Sequence, residues 1–199
     1  MDTKVREMSE KDLESIVRIY QDVFANDPWH EYMKCTGCEA PYGIDDHRMQ
    51  KDSCYSCGGS LELEEYWPEE VIKEDLYKVR SASSPVCLVA ENGEGVVGFC
   101  WGSERFEQEI EEIVDGHKTD SSIYINEVGV RSNRQSKGIG TKLVEEMLEE
   151  ARQSGYDCAI LRTNPDYDKS MGLYKKLGFE EICCADDGKV YMKLSLNGR

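Results

Sequence analysis

Apolar positions change their spacing several times along the chain, and each change marks an element. Thr3–Met8 is a strand candidate, and Ser9 followed by Asp12 reads as a helix N-cap. Leu13, Ile16, Val17, Tyr20 and Phe24 then recur at helical spacing and predict a first amphipathic helix. From Asp27 to Ser60 that periodicity is lost, and four cysteines, Pro28, Pro41 and several glycines replace it. Helical spacing returns after Pro68, with Val71, Ile72, Leu76 and Val79 on one face. The apolar runs Val86–Ala90 and Val96–Trp101 flank Asn92-Gly93, a hairpin signal. An acidic stretch from Glu104 to Asp115 carries Phe106, Ile110 and Ile113 as weak helical anchors. Ser122–Val130 reads as a strand that runs into a turn over Arg131–Gly140, and Leu143, Val144, Met147, Leu148 and Ala151 form the next helix face. Cys158–Thr163 is a strand, Ser170–Leu177 a helix ended by Gly178, and Phe179–Cys184 and Val190–Leu196 are strands joined around Asp187-Gly188. Hairpins mixed with crossover helices predict an α/β (α+β) fold: a mixed, largely antiparallel central sheet with helices on both faces.

With 199 residues and no repeat, the chain reads as one domain over 1–199 that carries an insertion at 29–60. No apolar run reaches the roughly 18–20 residues of a membrane span, and the start MDTKVREMSEKD lacks an apolar leader, so the expected location is cytoplasmic, with no membrane partner. Lys and Arg number 24 against 40 Asp and Glu, a formal charge of −16. That charge disfavours nucleic acid and favours neutral or cationic partners. Nine cysteines, an odd number, argue against a disulfide framework and for metal ligands, catalysis or burial.

The most informative stretch is the turn between the strand ending at Val130 and the helix opening near Gly138–Gly140. Free N–H groups and the positive dipole at a helix N-terminus bind anions, and glycines there let a pyrophosphate approach the backbone. Arg134, Lys137 and Lys142 make this segment locally positive. A plain capped turn satisfies the same two glycines; a Walker A loop and a three-glycine dinucleotide fingerprint do not fit. Gln135-Ser136-Lys137-Gly138-Ile139-Gly140 does fit Q/R-x-x-G-x-G/A, and Leu173-Tyr174-Lys175-Lys176-Leu177-Gly178-Phe179 fits LYxKLGF. On these motifs, with Glu127–Val130 as a fourth strand and Val5–Asp12 as the first strand and turn, the sequence resembles the GNAT superfamily of N-acetyltransferases over residues 1–27 and 61–196.

The resemblance implies splayed strands 4 and 5, with acetyl-CoA as co-substrate. It implies pyrophosphate binding by Gln135, Ser136, Lys137, Gly138, Ile139, Gly140 and Thr141, and pairing of the pantetheine arm with Val128, Gly129 and Val130. Tyr174 corresponds to the general acid that protonates the departing thiolate; the alternative is an aromatic packed in the helix core. Two positions depart from the family pattern. Ser132 replaces a common proline, and Tyr167 replaces an asparagine, for which Asn164 at the end of the fifth strand is the stand-in.

Acetyl transfer needs a deprotonated amine, so a general base is expected. Glu127, just before the residues that face the pantetheine, is the candidate, against an ordinary outward-facing strand carboxylate. Backbone N–H groups near Val128–Val130 could polarise the thioester carbonyl. Direct attack in a ternary complex is expected; an acetyl-cysteine on Cys87, Cys100 or Cys158 is the lesser alternative, since strand cysteines are usually inert. The family's acceptor region is acidic here, with Glu62, Glu64, Glu65, Glu69 and Glu70, then Glu104, Glu107, Glu109, Glu111 and Glu112. This edge suits a cationic small amine, polyamine or peptide amine, or is simply a solvated surface.

Cys35-Thr36-Gly37-Cys38 and Cys54-Tyr55-Ser56-Cys57 have the C-x2-C…C-x2-C spacing of a closed structural zinc site, with iron as a minor alternative. Four thiolates suffice, so Trp29, His30 and His47 nearby read as ordinary neighbours. The insertion is expected to border the acceptor pocket. The alternative function is a non-catalytic CoA-binding module whose zinc insertion recruits a protein or nucleic acid. A homodimer is compatible with either.

Overall fold

A computed structural model of the chain describes residues 3–24, 32–42, 53–64, 68–104, 121–185 and 188–197. In chain order the elements are β1 (Lys4–Glu7), α1 (Leu13–Phe24), β2 (Tyr32–Cys35), β3 (Pro41–Tyr42), β4 (Leu61–Glu64), α2 (Glu69–Arg80), β5 (Val86–Asn92), β6 (Gly95–Ser103), β7 (Ser122–Val130), α3 (Ile139–Gln153), β8 (Cys158–Thr163), α4 (Asp168–Leu177), β9 (Glu180–Cys184) and β10 (Val190–Ser195). Seven strands form one sheet in the order β1-β5-β6-β7-β8-β10-β9, antiparallel throughout except for the β7–β8 pair. The mixed, largely antiparallel sheet expected from the pattern is therefore present. One face carries Leu88, Cys100, Ile123 and Ile125 against Leu143, Met147 and Tyr174 of α3 and α4; the other packs Val89, Phe99 and Trp101 against Ile16, Ile19 and Tyr20 of α1 and Ile72 and Leu76 of α2.

Local chemistry explains the main junctions. The Asp12 carboxylate receives hydrogen bonds from the Ser9 N–H (2.8 Å) and hydroxyl (2.9 Å), closing the turn into α1. Arg6 bridges Asp12 (2.8 Å) and Glu91 (2.7 Å), tying β1, β5 and that turn together. The Arg6 guanidinium, helped by the Ser9 donors, holds the Asp12 carboxyl down at about 2 although the group is removed from water. Because the folded value lies below the unfolded one, this stabilisation is complete above pH ~4 and fades as pH falls towards ~2. Wild type and Arg6→Gln, unfolded in urea, should therefore differ by ~2 kcal/mol at pH 7 and converge near pH 2.

The β5–β6 hairpin departs slightly from the Asn92-Gly93 expectation. The left-handed residue is Gly95 (φ +104°), while the Asn92 side-chain oxygen accepts the Glu94 N–H at 2.8 Å. Helix α4 starts at Asp168, before the expected Ser170, and ends at left-handed Gly178 as foreseen.

Strand β7 is irregular in two ways. It pairs with β8 only from Ser122↔Cys158 to Ile125↔Leu161, after which β7 stays with β6 and β8 with β10, so the two strands diverge. Its register against β6 also slips, from Trp101↔Glu127 to Gly102↔Ile125. The splay of the fourth and fifth strands implied by the family resemblance is this divergence.

Where periodicity failed, the chain nonetheless forms strands: β3, β2 and β4 make a small antiparallel sheet. The weak helix expected in the acidic stretch, and Trp29, His30, His47 and Asp187, lie outside the described residues. Among the described residues no helix is long and apolar enough to cross a membrane.

Candidate active site

The divergence of β7 from β8 opens a cleft of about 330 Å³. Val128 and Val130 of β7 contribute to its lining, the first turn of α3 lies across one end, Tyr167, Ser170, Leu173 and Tyr174 form a wall, and Val23 of α1 reaches in.

The polar end is built by the turn from Gln135 to Thr141. Gly138 caps α3 in the left-handed region (φ +78°), and Ser136 is left-handed as well (φ +59°). The first helical bond runs from the Lys142 N–H to the Gly138 carbonyl (3.0 Å), so the preceding N–H groups have no helical partner. No acidic residue sits in that first turn. The end of α3 thus suits an anion, by both its free donors and its dipole. Gly140 also serves packing, because a Cβ there would lie 3.1 Å from Leu173 Cδ1; glycine lets α3 and α4 close on each other.

Each of the three cations expected at this end has a partner in the protein. Arg134 is paired with Glu94, Lys142 Nζ donates to the Thr3 carbonyl (3.4 Å), and exposed Lys137 donates to the Asn133 carbonyl (3.4 Å). The lysines that line the cleft are Lys169 and Lys176 of α4. Lys169 Nζ donates to Gln135 Oε1 (2.9 Å), and Gln135 Nε2 donates to the Val130 carbonyl (3.2 Å), bracing the turn against β7.

Of the residues assigned to the co-substrate, Val128, Val130, Gln135, Ser136, Gly138, Ile139, Gly140 and Thr141 line the cleft; Gly129, Lys137 and Asn164 are not among its lining residues. Gly129 accommodates Phe99, whose ring would lie 2.6 Å from any Cβ. The Asn164 side-chain oxygen accepts the Asp166 N–H (2.9 Å), and its carbonyl accepts the Tyr167 N–H (3.2 Å); it is Tyr167, the departure from the family pattern, that reaches the lining. Sequence reasoning missed Tyr167, Lys169, Ser170, Leu173 and Lys176. Counting back from Tyr174 by helical steps of four and seven gives Ser170 and Tyr167, so the α4 periodicity carried that signal.

Tyr174 is buried, edge-on to Phe179 with centroids 5.7 Å apart. Burial first, and then the Glu127 charge, push its phenol well above the ordinary value near 10, so it holds its proton through any working pH. Glu127 is half-buried on the α1 side, where the Tyr20 hydroxyl donates to its Oε1 at 3.3 Å. Tyr20 is itself fixed by stacking, with ring centroids 4.3 Å from Phe24, 6.0 Å from Phe99 and 6.1 Å from Trp101. The sequence had offered Tyr20 only as a core residue. Burial raises the thiols of Cys100 and Cys158 and lifts Cys87 to about 11, so these strand cysteines stay protonated and poorly nucleophilic. Of the acidic acceptor edge, Glu62, Glu69, Glu70 and Glu104 are exposed; the other side chains lie outside the described residues.

The small sheet brings Cys35, Cys38, Cys54 and Cys57 together, with all four Sγ atoms within 4.8 Å of one another. Two pairs approach at 3.3 Å (Cys35–Cys57) and 3.5 Å (Cys38–Cys54). Four sulfurs on one tetrahedral zinc, at bonds of about 2.3 Å, stand about 3.8 Å apart, so the cluster fits such an ion. The two loops are built alike. The Glu39 and Gly58 N–H groups donate to the Cys35 and Cys54 carbonyls (2.9 and 2.8 Å), and the Cys35 and Cys54 N–H groups donate to the Ala40 and Gly59 carbonyls (3.1 and 2.9 Å). The cradle is tight: a Cβ on Gly59 would lie 2.9 Å from the Cys35 sulfur.

The model of the acetyltransferase (GNAT) family matches residues 52–179. The chain belongs to the GNAT acetyltransferase family. A curated relative, mycothiol acetyltransferase of Saccharomonospora viridis, is 34% identical over 102 residues. That match covers 48% of this chain and 30% of the relative, so the chain spans under a third of that protein's length. Solved GNAT structures share the fold along almost the whole chain. Ribosomal-protein-alanine N-acetyltransferase of Brucella melitensis has a TM-score of 0.64 at 21% identity, covering 96% of this chain and 99% of that one. A phosphinothricin acetyltransferase of Sinorhizobium meliloti, solved with acetyl-CoA, has a TM-score of 0.64 at 17% identity, covering 98% and 89%.

Proposed function

We propose that this GNAT chain transfers an acetyl group from acetyl-CoA to a primary amine by direct attack in a ternary complex. The observation that carries this reading is a buried, protonated Tyr174 lining a cleft that also presents the open end of α3, with the Glu127 charge acting on the same phenol. The free N–H groups before Lys142, with Gln135, Ser136, Lys169 and Lys176, would hold the pyrophosphate, with Lys137 on its solvent side. The Val128–Val130 edge would carry the pantetheine amides, and its backbone N–H groups would polarise the thioester carbonyl. Glu127 takes the proton from the amine, and Tyr174 gives its own to the departing sulfur. Asn164 acts by shaping the turn that presents Tyr167.

Residues 29–60 form an insertion within a single transferase domain, and Cys35, Cys38, Cys54 and Cys57 would hold a zinc ion whose role is structural, because four thiolates leave no open coordination position. Exposed Glu62, Glu69, Glu70 and Glu104 favour a cationic acceptor.

Titration calorimetry with acetyl-CoA, followed by an acetylation assay on spermidine, lysine, kanamycin and an alanyl tripeptide, tests the reading. Micromolar binding of acetyl-CoA and turnover of at least one amine are expected. Binding without turnover of any of them would leave a CoA-binding module and sink the transferase.

A further inference from the structure

The alternation of β7 is interrupted at one point. Ile123 and Ile125 belong to the core under α3 and α4, as does Val130, with Val128 packed against it, so alternation resumes one residue late. The slip in register accounts for this: Trp101 faces Glu127 and the next residue of β6, Gly102, faces Ile125, leaving Asn126 as the extra residue of a bulge. The fold is cut to fit the bulge, since a Cβ on Gly102 would lie 2.4 Å from the Tyr124 carbonyl oxygen. Asn126 also follows the last residue of β7 that pairs with β8 and precedes by two residues Val128, where β7 begins to line the cleft.

The side-chain carbonyl of Asn126 is shut away from solvent and, among the described residues, accepts no hydrogen bond. Buried amide oxygens are nearly always satisfied, and leaving one alone costs stability. A leucine would fill such a position without that cost. The orphan acceptor is directly adjacent in sequence to Glu127, the group that is to deprotonate the amine.

We infer that Asn126 is an acceptor-binding residue, whose side-chain carbonyl receives one N–H of the substrate amine beside Glu127. This assignment rests on the transferase reading. An ammonium has three N–H groups; after one proton passes to Glu127, two remain, and Asn126 takes one of them. The bond fixes the rotation of the amine and so the direction of its lone pair. A neutral carbonyl does this without competing for the proton, which a second carboxylate would do. It also excludes tertiary amines, which have no N–H left to offer once deprotonated.

The rival occupant is a water bridging Asn126 to the buried indole N–H of Trp101, which also has no partner among the described residues. Steady-state kinetics on Asn126→Leu and Asn126→Asp, with whichever of the four amines above the wild type uses, separate the two. Asn126→Leu should raise the amine KM about tenfold, leave the acetyl-CoA KM within twofold, and melt no lower than wild type. Asn126→Asp, which keeps an acceptor oxygen, should restore most of the amine KM. An unchanged amine KM in Asn126→Leu, or a melting temperature lowered by several degrees, would overturn the assignment, since either means that the carbonyl serves the protein alone. If the wild type uses none of the amines, the transferase reading falls and the assignment falls with it; if it does use one, only the assignment is at stake.

Discussion

Tyr174→Phe should lower kcat by about 100- to 1,000-fold, the scale of a lost general acid, while acetyl-CoA still binds within about twofold of wild type. The separation is expected because the substitution removes only the hydroxyl. The ring keeps its edge-on contact with Phe179, and the N-terminal end of α3 is untouched. The pH profile sharpens the test. Burial and the Glu127 charge raise the Tyr174 phenol above its ordinary value, and a raised acid is fully protonated below that value. Wild-type kcat should therefore show no falling limb from loss of this proton below pH ~10. Stopped-time assays for kcat, with calorimetry for the co-substrate, measure both sides. A Tyr174→Phe enzyme with near-normal kcat would assign the phenol to packing and move the acid role elsewhere.

Protein purified without chelator should carry about one zinc per chain, and Cys35→Ser should bring that close to zero. Cys35 is the strongest choice because it is the most buried of the four, and its sulfur accepts the Gly37 N–H at 3.3 Å and faces Cys57 at 3.3 Å. Among the described residues, the small sheet has little besides its thiols to hold it: Cys35 and Cys54 form its buried cluster, with Met33, Ala40 and Leu61 packed alongside. Metal binding in zinc-finger peptides is worth about 10–16 kcal/mol, far beyond what those three side chains can supply. Metal analysis by mass spectrometry, with limited proteolysis within residues 32–42 and 53–64, reads the outcome. Wild type should resist cleavage there, and Cys35→Ser should be cut quickly. A metal-free wild type that still resists protease would overturn the zinc assignment.

Most of the large sheet was legible because its strands and helices obey simple periods. The faces of α1 and α3, the stop of α4 at left-handed Gly178, and the strand ending at Val130 all follow from spacing and turn chemistry. The insertion's strands were not legible, because short strands around a thiol cluster need no alternating apolar face: the sulfurs take the place of a core. Charge near the glycines shows Arg134, Lys137 and Lys142 in the sequence; that Lys169 and Lys176 of α4 line the cleft depends on side-chain direction along that helix, which distance from the glycines does not reveal. The bulge was in fact written in the chain. Apolar residues stand at 123 and 125 and then at 128 and 130, and one skipped step in a two-residue period is what an extra residue produces.

The stretch of β7 that leaves β8 has a further consequence, for solubility. Unpaired strand edges invite other chains to add on, and proteins usually guard them with lysines, prolines or covering loops. Here the bare edge lies in the middle of the sheet, with the first turn of α3 and the wall of α4 lining the same cleft. Strands carry side chains on both faces, so a second polypeptide would have to place them against the walls that α3 and α4 already form in this cleft of about 330 Å³. A thin, unbranched chain with its own amides does not have to. Burying the edge inside the sheet lets the protein keep an open hydrogen-bonding rail without exposing it to aggregation.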